Sequence, residues 1–191
     1  MALKISVLYG SVRQNRQGIK AAKFIESELK KRGHEVFFVD ALKQNFPMLD
    51  KKYKEFEEGK SPQNLEDVHK MLNESDGFVL VTAEYNHSPP PGLLNIIDHY
   101  DKEFFFKPAG VIGYSSGPFG GVRAITSIIP VLTELGMSVV PTSMPVSKVQ
   151  NFKDDGTPDD EAYYRRAEKF LVDFEWHTTA LKEARKKGTP Y

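Results

Sequence analysis

Apolar residues arrive along this chain in short blocks separated by polar turns, and the blocks alternate between strand-like and helix-like periods. Leu3 to Tyr9 is a nearly continuous β-capable run that stops at Gly10, the pattern of a strand buried on both faces. From about Arg16 to Arg32 the apolar positions Ala22, Ile25 and Leu29 recur at helical spacing, and Gly33 stands where a helix C-terminus is capped. Val36 to Val39 then gives a second short strand ending at Asp40. Ala41 to Lys60 has no clear period and reads as an excursion over the surface. Ser61 and Pro62 supply an N-cap and a first-turn proline to a helix whose buried stripe is Leu65, Val68 and Leu72.

Phe78 to Thr82 is the third strand, followed by a short helix near Leu93 to Tyr100; Ala109 to Tyr114 is the fourth strand, and Val139-Val140 begins the fifth. Between the last two, Ile125, Ile128, Ile129 and Leu132 form a helical stripe despite Pro130, which costs about 3 kcal/mol inside a helix. Thr157-Pro158-Asp159-Asp160 marks the start of a final helix, expected to run to the basic end Lys182, Arg185, Lys186, Lys187 before Gly188. Strands alternating with helices imply one α/β domain over residues 1–191, a parallel sheet covered on both faces. In such doubly wound sheets ligands bind beyond the carboxyl ends of the strands, where the winding reverses. The loops after the first, third and fourth strands therefore matter most.

Composition narrows the function classes. The 26 basic residues balance 26 acidic ones, so no bulk field would recruit nucleic acid or an anionic membrane. With no cysteine, disulfides, thiolate metal sites and a cysteine nucleophile are excluded. No stretch reaches the roughly 18 apolar residues of a membrane helix, and the first residues lack a signal-peptide pattern, so a cytoplasmic protein is expected.

The first loop, Gly10-Ser11-Val12-Arg13-Gln14-Asn15-Arg16-Gln17-Gly18, sits at a helix N-terminus and offers free backbone N–H groups, the Ser11 hydroxyl and the Arg13 and Arg16 forks to an anion. A plain strand-to-helix turn with solvated arginines is the alternative. The dinucleotide fingerprint and the P-loop are both missing, which disfavours a Rossmann dehydrogenase or an ATPase. After the third strand, Glu84-Tyr85-Asn86-His87-Ser88 followed by three prolines offers donors beside an aromatic face, suited to a flat heteroaromatic ring; His87 itself is expected to face solvent. After the fourth, Ser115-Ser116-Gly117-Pro118-Phe119-Gly120-Gly121 opens a helix, and its glycines allow close backbone approach. Phe104-Phe105-Phe106 cannot all enter one core face, so either an oligomer interface or ordinary edge packing follows.

Taken together, Leu8-Tyr9-Gly10-Ser11-Val12-Arg13 with Arg16 and Gly18, Glu84-Tyr85-Asn86 with Ser88, Pro90, Asn95 and Asp98, and Gly120-Gly121 with Arg123-Ala124 resemble the NADPH-dependent FMN reductase family, over roughly Lys4 to Leu135. The resemblance implies a flavodoxin-like three-layer sandwich with strand order 2-1-3-4-5. It also implies bound FMN, NADPH or NADH as reductant, and two-electron reduction of flavins, quinones or azo compounds by a homodimer or homotetramer. Carried over by position, Ser11, Arg13, Arg16 and Gln17 or Gly18 would surround the phosphate. Glu84, Tyr85, Asn86 and Ser88 would line the ribityl chain and ring, and Ser115, Ser116, Gly117 and Gly120 the pyrimidine end, with Arg123 adding positive charge. Ala83 and Leu94 depart from the family's usual proline and lysine, and neither removes an expected FMN contact.

On this reading the flavin carries the hydride at N5 and no protein nucleophile or metal is required, so ping-pong kinetics are expected. The competing classes are a flavodoxin-type electron carrier, usually strongly acidic where this chain is neutral, and a non-catalytic flavin-binding sensor.

Overall fold

The computed structural model describes residues 2–191. Strands Lys4–Tyr9 (β1), Glu35–Asp40 (β2), Gly77–Ala83 (β3) and Pro108–Tyr114 (β4) alternate with helices Ile19–Lys31 (α1), Ala41–Gln44 (α2), Gln63–Glu74 (α3) and Pro91–Asp98 (α4). Val122–Glu134 (α5), Ser138–Val139 (β5), Met144–Val146 (β6) and Ala162–Arg185 (α6) complete the fold. Every strand pair is parallel, in the order β2-β1-β3-β4-β5, the flavodoxin-like arrangement.

Two apolar layers explain why the strands read as continuous hydrophobic runs. On β1, Ile5, Val7 and Tyr9 join one core with Ala22, Ile25 and Leu29 of α1 and Phe170 and Phe174 of α6. Leu8 joins the other, with Leu65 and Leu72 of α3, Ile97 of α4 and Ile128 of α5. Alternate residues thus face opposite helix layers, and both faces demand apolar side chains.

The fifth lane differs in detail from its expected form. β5 pairs with Pro108 and Ala109, and β6 resumes farther along the same strand beside Ile112 to Tyr114. Pro141, which lacks an N–H, lies in the break, so the strand expected from Val139-Val140 is split in two.

Helix starts also shift. Ser61 does not cap α3; its hydroxyl donates to Glu66 Oε2 at 3.0 Å, and the helix begins after Pro62. The last helix begins at Ala162 rather than near Thr157, because Asp160 Oδ1 accepts the Ala162 N–H at 2.8 Å and supplies the effective cap. α5 runs through Pro130 as expected, but Ile129 faces outward and the buried stripe is Ala124, Ile125, Ile128 and Leu132. Phe104 packs edge-on against Phe78 at 5.1 Å, while Phe105 and Phe106 turn away and meet the Tyr191 ring at 6.0 and 4.8 Å.

The excursion after β2 is ordered by side chains from α4. Asn95 donates to Pro47 O at 2.8 Å and accepts the Leu49 N–H at 3.0 Å, so both ends of its amide hold this segment. Among the described residues no helix is long and apolar enough to cross a membrane.

Candidate functional site

The carboxyl ends of β1, β3 and β4 open into a cleft of about 270 Å³ at the point where the winding reverses. The 10–18 loop contributes Ser11, Arg13, Asn15, Arg16, Gln17 and Gly18; the loop after β3 contributes Glu84 and Tyr85; the loop after β4 contributes Ser115 and Ser116. Ala83, Tyr114 and Val149 complete the lining. Asn86, Ser88, Gly117 and Gly120 lie on the same loops, and Arg123 in the first turn of α5, without lining the cleft.

The first loop is a donor-rich concavity. No backbone N–H of residues 12–18 donates to an acceptor within the described residues, and the N-terminus of α1 follows directly. Ser11 is buried at the base, whereas Arg13 is exposed and pairs with no carboxylate among the described residues.

Arg16 is differently placed. Its Nη1 donates to Asp40 Oδ1 and, at 3.0 Å, to Ser11 O, while Nη2 donates to Asp40 Oδ2 at 2.6 Å. The guanidinium carbon also lies 5.2 Å from the centre of the Tyr9 ring. The Asp40 carboxylate, more than burial opposes it, holds the Arg16 pKa above its ordinary value. The Arg16 fork, expected from the sequence to face a phosphate, is occupied by the buried Asp40 carboxylate.

Beneath the loop lie two tyrosines, Tyr9 at the end of β1 and Tyr114 at the end of β4. A Cβ on Gly18 would fall 1.9 Å from Tyr114 Cζ, so only glycine lets the head of α1 seat on this phenol. Tyr9 and Tyr114 ring centres are 6.2 Å apart. Burial pushes both phenols up, and the Tyr9 hydroxyl, though near the Tyr114 and Ser11 hydroxyls, has no partner in hydrogen-bonding geometry. The available signal was positional: Tyr9, Asp40 and Tyr114 each end an apolar strand with a polar group.

The second and third loops are tied to each other. Glu84 accepts the backbone N–H of Arg123 in the first turn of α5 and also meets its guanidinium. Tyr85 and Ser88 exchange backbone hydrogen bonds of 2.9 and 3.0 Å around Asn86 and His87, whose φ values of 51° and 66° are those of a type I′ turn. His87 is exposed, as expected. Ser115 Oγ donates to Gly117 O at 3.0 Å and accepts the Gly120 N–H at 2.9 Å, so this hydroxyl braces its own loop. Gly121, at φ 74°, precedes α5 where a Cβ would come within 2.7 Å of Tyr114 N.

Fold and site together define a flavodoxin-like α/β protein with a donor-rich loop and a tyrosine-lined cleft at the switch point of its sheet. The profile of the NADPH-dependent FMN reductase family matches residues 3–151, and the chain belongs to that family. A quinone reductase of Escherichia coli is 34% identical over 83 residues, 41% of this chain and 44% of that protein. An NADPH azoreductase of a Bacillus species is 31% identical over 85 residues, 42% of this chain and 48% of that protein. The alignments thus span less than half the length of these curated relatives. The structure of FerB, a flavoenzyme NAD(P)H:(acceptor) oxidoreductase from Paracoccus denitrificans, superposes with a TM-score of 0.74 at 22% identity. That match covers 93% of this chain and 98% of FerB, and shows a shared fold.

Proposed function

We propose that this protein is an FMN-dependent NAD(P)H oxidoreductase that reduces small acceptors, flavins, quinones or azo compounds, by two-electron ping-pong turnover. The observation that carries this reading is the meeting, in one switch-point cleft, of the free-donor 12–18 loop with Arg13 and the Tyr85 and Ser115-Ser116 walls. Family membership supports the cofactor, and the names of the quinone reductase and azoreductase relatives support the acceptor classes.

The residues present fit the cofactor. Gly18 lets the head of α1 seat directly on the Tyr114 ring beside the cleft, and the unpaired N–H groups of residues 12–18 are donors of the kind a phosphate monoester takes. FMN, when bound, supplies the two-electron carrier between reductant and acceptor. Arg13 and the loop N–H groups neutralise and orient the phosphate, and the Ser11 hydroxyl adds a donor at the base. Tyr85 and Ser116 flank the slot for the ring, with the Asn86 and Ser88 turn at its edge. Glu84 ties the second loop to the start of α5, and Ser115 braces the third loop from within.

The reading includes a cytoplasmic homodimer or homotetramer, in which a second copy covers exposed apolar side chains such as Val12, Met48 and Phe119. The test is turnover by the FMN-reconstituted protein, comparing NADH and NADPH oxidation with a quinone, an azo dye and free FMN. Parallel initial-rate lines with at least one acceptor are expected; bound flavin with negligible turnover on all three would reject the reductase.

A further inference from the structure

Asp40 ends β2 directly opposite Tyr9 of β1, is 1% exposed, and has no part in the cofactor contacts carried over from the family. Three donors converge on its carboxylate: Arg16 Nη1, Arg16 Nη2, and the Leu42 N–H at 3.1 Å, which opens α2. One buried side chain therefore fixes both the turn after β2 and the returning limb of the 10–18 loop. Arg16 carries the restraint onward, because its Nη1 also donates to Ser11 O at 3.0 Å. The segment from Ser11 to Arg16 is closed by that bond, with Arg13 between the two fixed points.

This arrangement constrains what Arg16 can do for an anion. Turning its fork toward a ligand would leave Asp40 a buried carboxylate without its counter-charge, a strongly unfavourable state. Left in place, the pair presents nearly cancelling charges to the cleft and attracts a dianion weakly.

Resting on the reading that the cleft binds FMN, we propose that Asp40 is a positioning residue for the cofactor phosphate. Acting through Arg16, it sets the shape of the 10–18 loop, and the phosphate charge is met by Arg13 and the loop N–H groups, not by Arg16.

The test compares dissociation constants for FMN and riboflavin, read by flavin fluorescence, with the thermal midpoint of the apoprotein. Arg13→Ala is expected to weaken FMN by about tenfold or more and leave riboflavin within about twofold, as loss of a charge-assisted phosphate contact requires. Arg16→Gln strands Asp40 and lowers both the midpoint and FMN affinity. Adding Asp40→Asn removes the stranded charge, and the double variant is expected to regain the midpoint and bind FMN within about threefold of the unaltered protein. A double variant that regains its midpoint but stays about tenfold or more weaker for FMN alone would show that Arg16 holds the phosphate, and would overturn the proposal.

A second measurement needs no refolded variant: guanidinium 15N–1H resonances of the unaltered protein, titrated with FMN and with riboflavin. A phosphate-dependent shift at Arg13 and none at Arg16 is expected, and the reverse overturns the proposal. If the unaltered protein binds neither flavin, the cleft reading fails and the proposal with it. If it binds FMN and the shift falls on Arg16, the proposal alone fails.

Discussion

Glu84 Oε2 accepts the backbone N–H of Arg123 at 3.1 Å, and Oε1 of the same carboxylate meets the Arg123 guanidinium at 3.3 Å. One side chain from the end of β3 thus caps the helix that follows β4, joining two of the three loops around the cleft. Glu84→Ala is expected to lower stability by about 1 kcal/mol, the usual worth of a helix N-terminal acceptor, and to speed flavin loss. Glu84→Gln keeps the acceptor and should cost less than half as much. Thermal unfolding and the rate of flavin release check both; equal effects of the two substitutions would contradict the capping role.

Gly18 sets the spacing between α1 and Tyr114. Gly18→Ala would drive a methyl into the Tyr114 ring, and forced overpacking of this kind costs about 1–3 kcal/mol. A lower thermal midpoint together with reduced FMN occupancy is expected. Unchanged values of both would mean that the head of α1 does not seat as described.

Much of this was legible in the chain, for physical reasons that differ by element. β1, β3 and β4 are buried on both faces, so their apolar runs announced themselves, and Gly33, at φ 84° just past α1, marked that helix end. The positions of the three loops followed from strand order alone. Partnerships were not legible. Arg16 looks the same in sequence whether it faces a ligand or Asp40, because the pairing joins residues brought together only when β2 lies beside β1. The break in the fifth lane and the late start of α6 were hidden for a similar reason: Pro141 and Asp160 act through backbone groups whose partners the pattern does not name.

Lys107 gives a pH signature unrelated to the cleft. Its ammonium is buried and donates to Leu72 O at 2.8 Å and Asn73 O at 3.0 Å, in the last turn of α3. Burial lowers its pKa from 10.5 to about 8. Between those values the unfolded chain holds more protons than the folded one, so this group makes stability rise with pH across that window. Below it both states are protonated, and the full penalty, on the order of 3 kcal/mol, is present. Urea unfolding of the unaltered protein and of Lys107→Met, from pH 7.5 to about pH 10, checks the sign: the difference should move in favour of the unaltered protein as pH rises. A pH-independent difference would contradict it.

His87 occupies a left-handed position that glycine fills more easily, at the second centre of the type I′ turn. His87→Gly is expected to match the unaltered protein in flavin retention and to be equally or more stable, by up to about 1 kcal/mol; His87→Val should be less stable. Loss of flavin from His87→Gly would show that the imidazole itself reaches the cofactor.

The most direct test of the central claim is anaerobic titration of the FMN-reconstituted protein with NADPH, followed by its visible spectrum. One FMN bound per chain and bleaching of the yellow oxidised band by one equivalent of NADPH is the expected result. A cleft that takes up no FMN, or a bound flavin that stays yellow with excess NADPH and NADH alike, would contradict it.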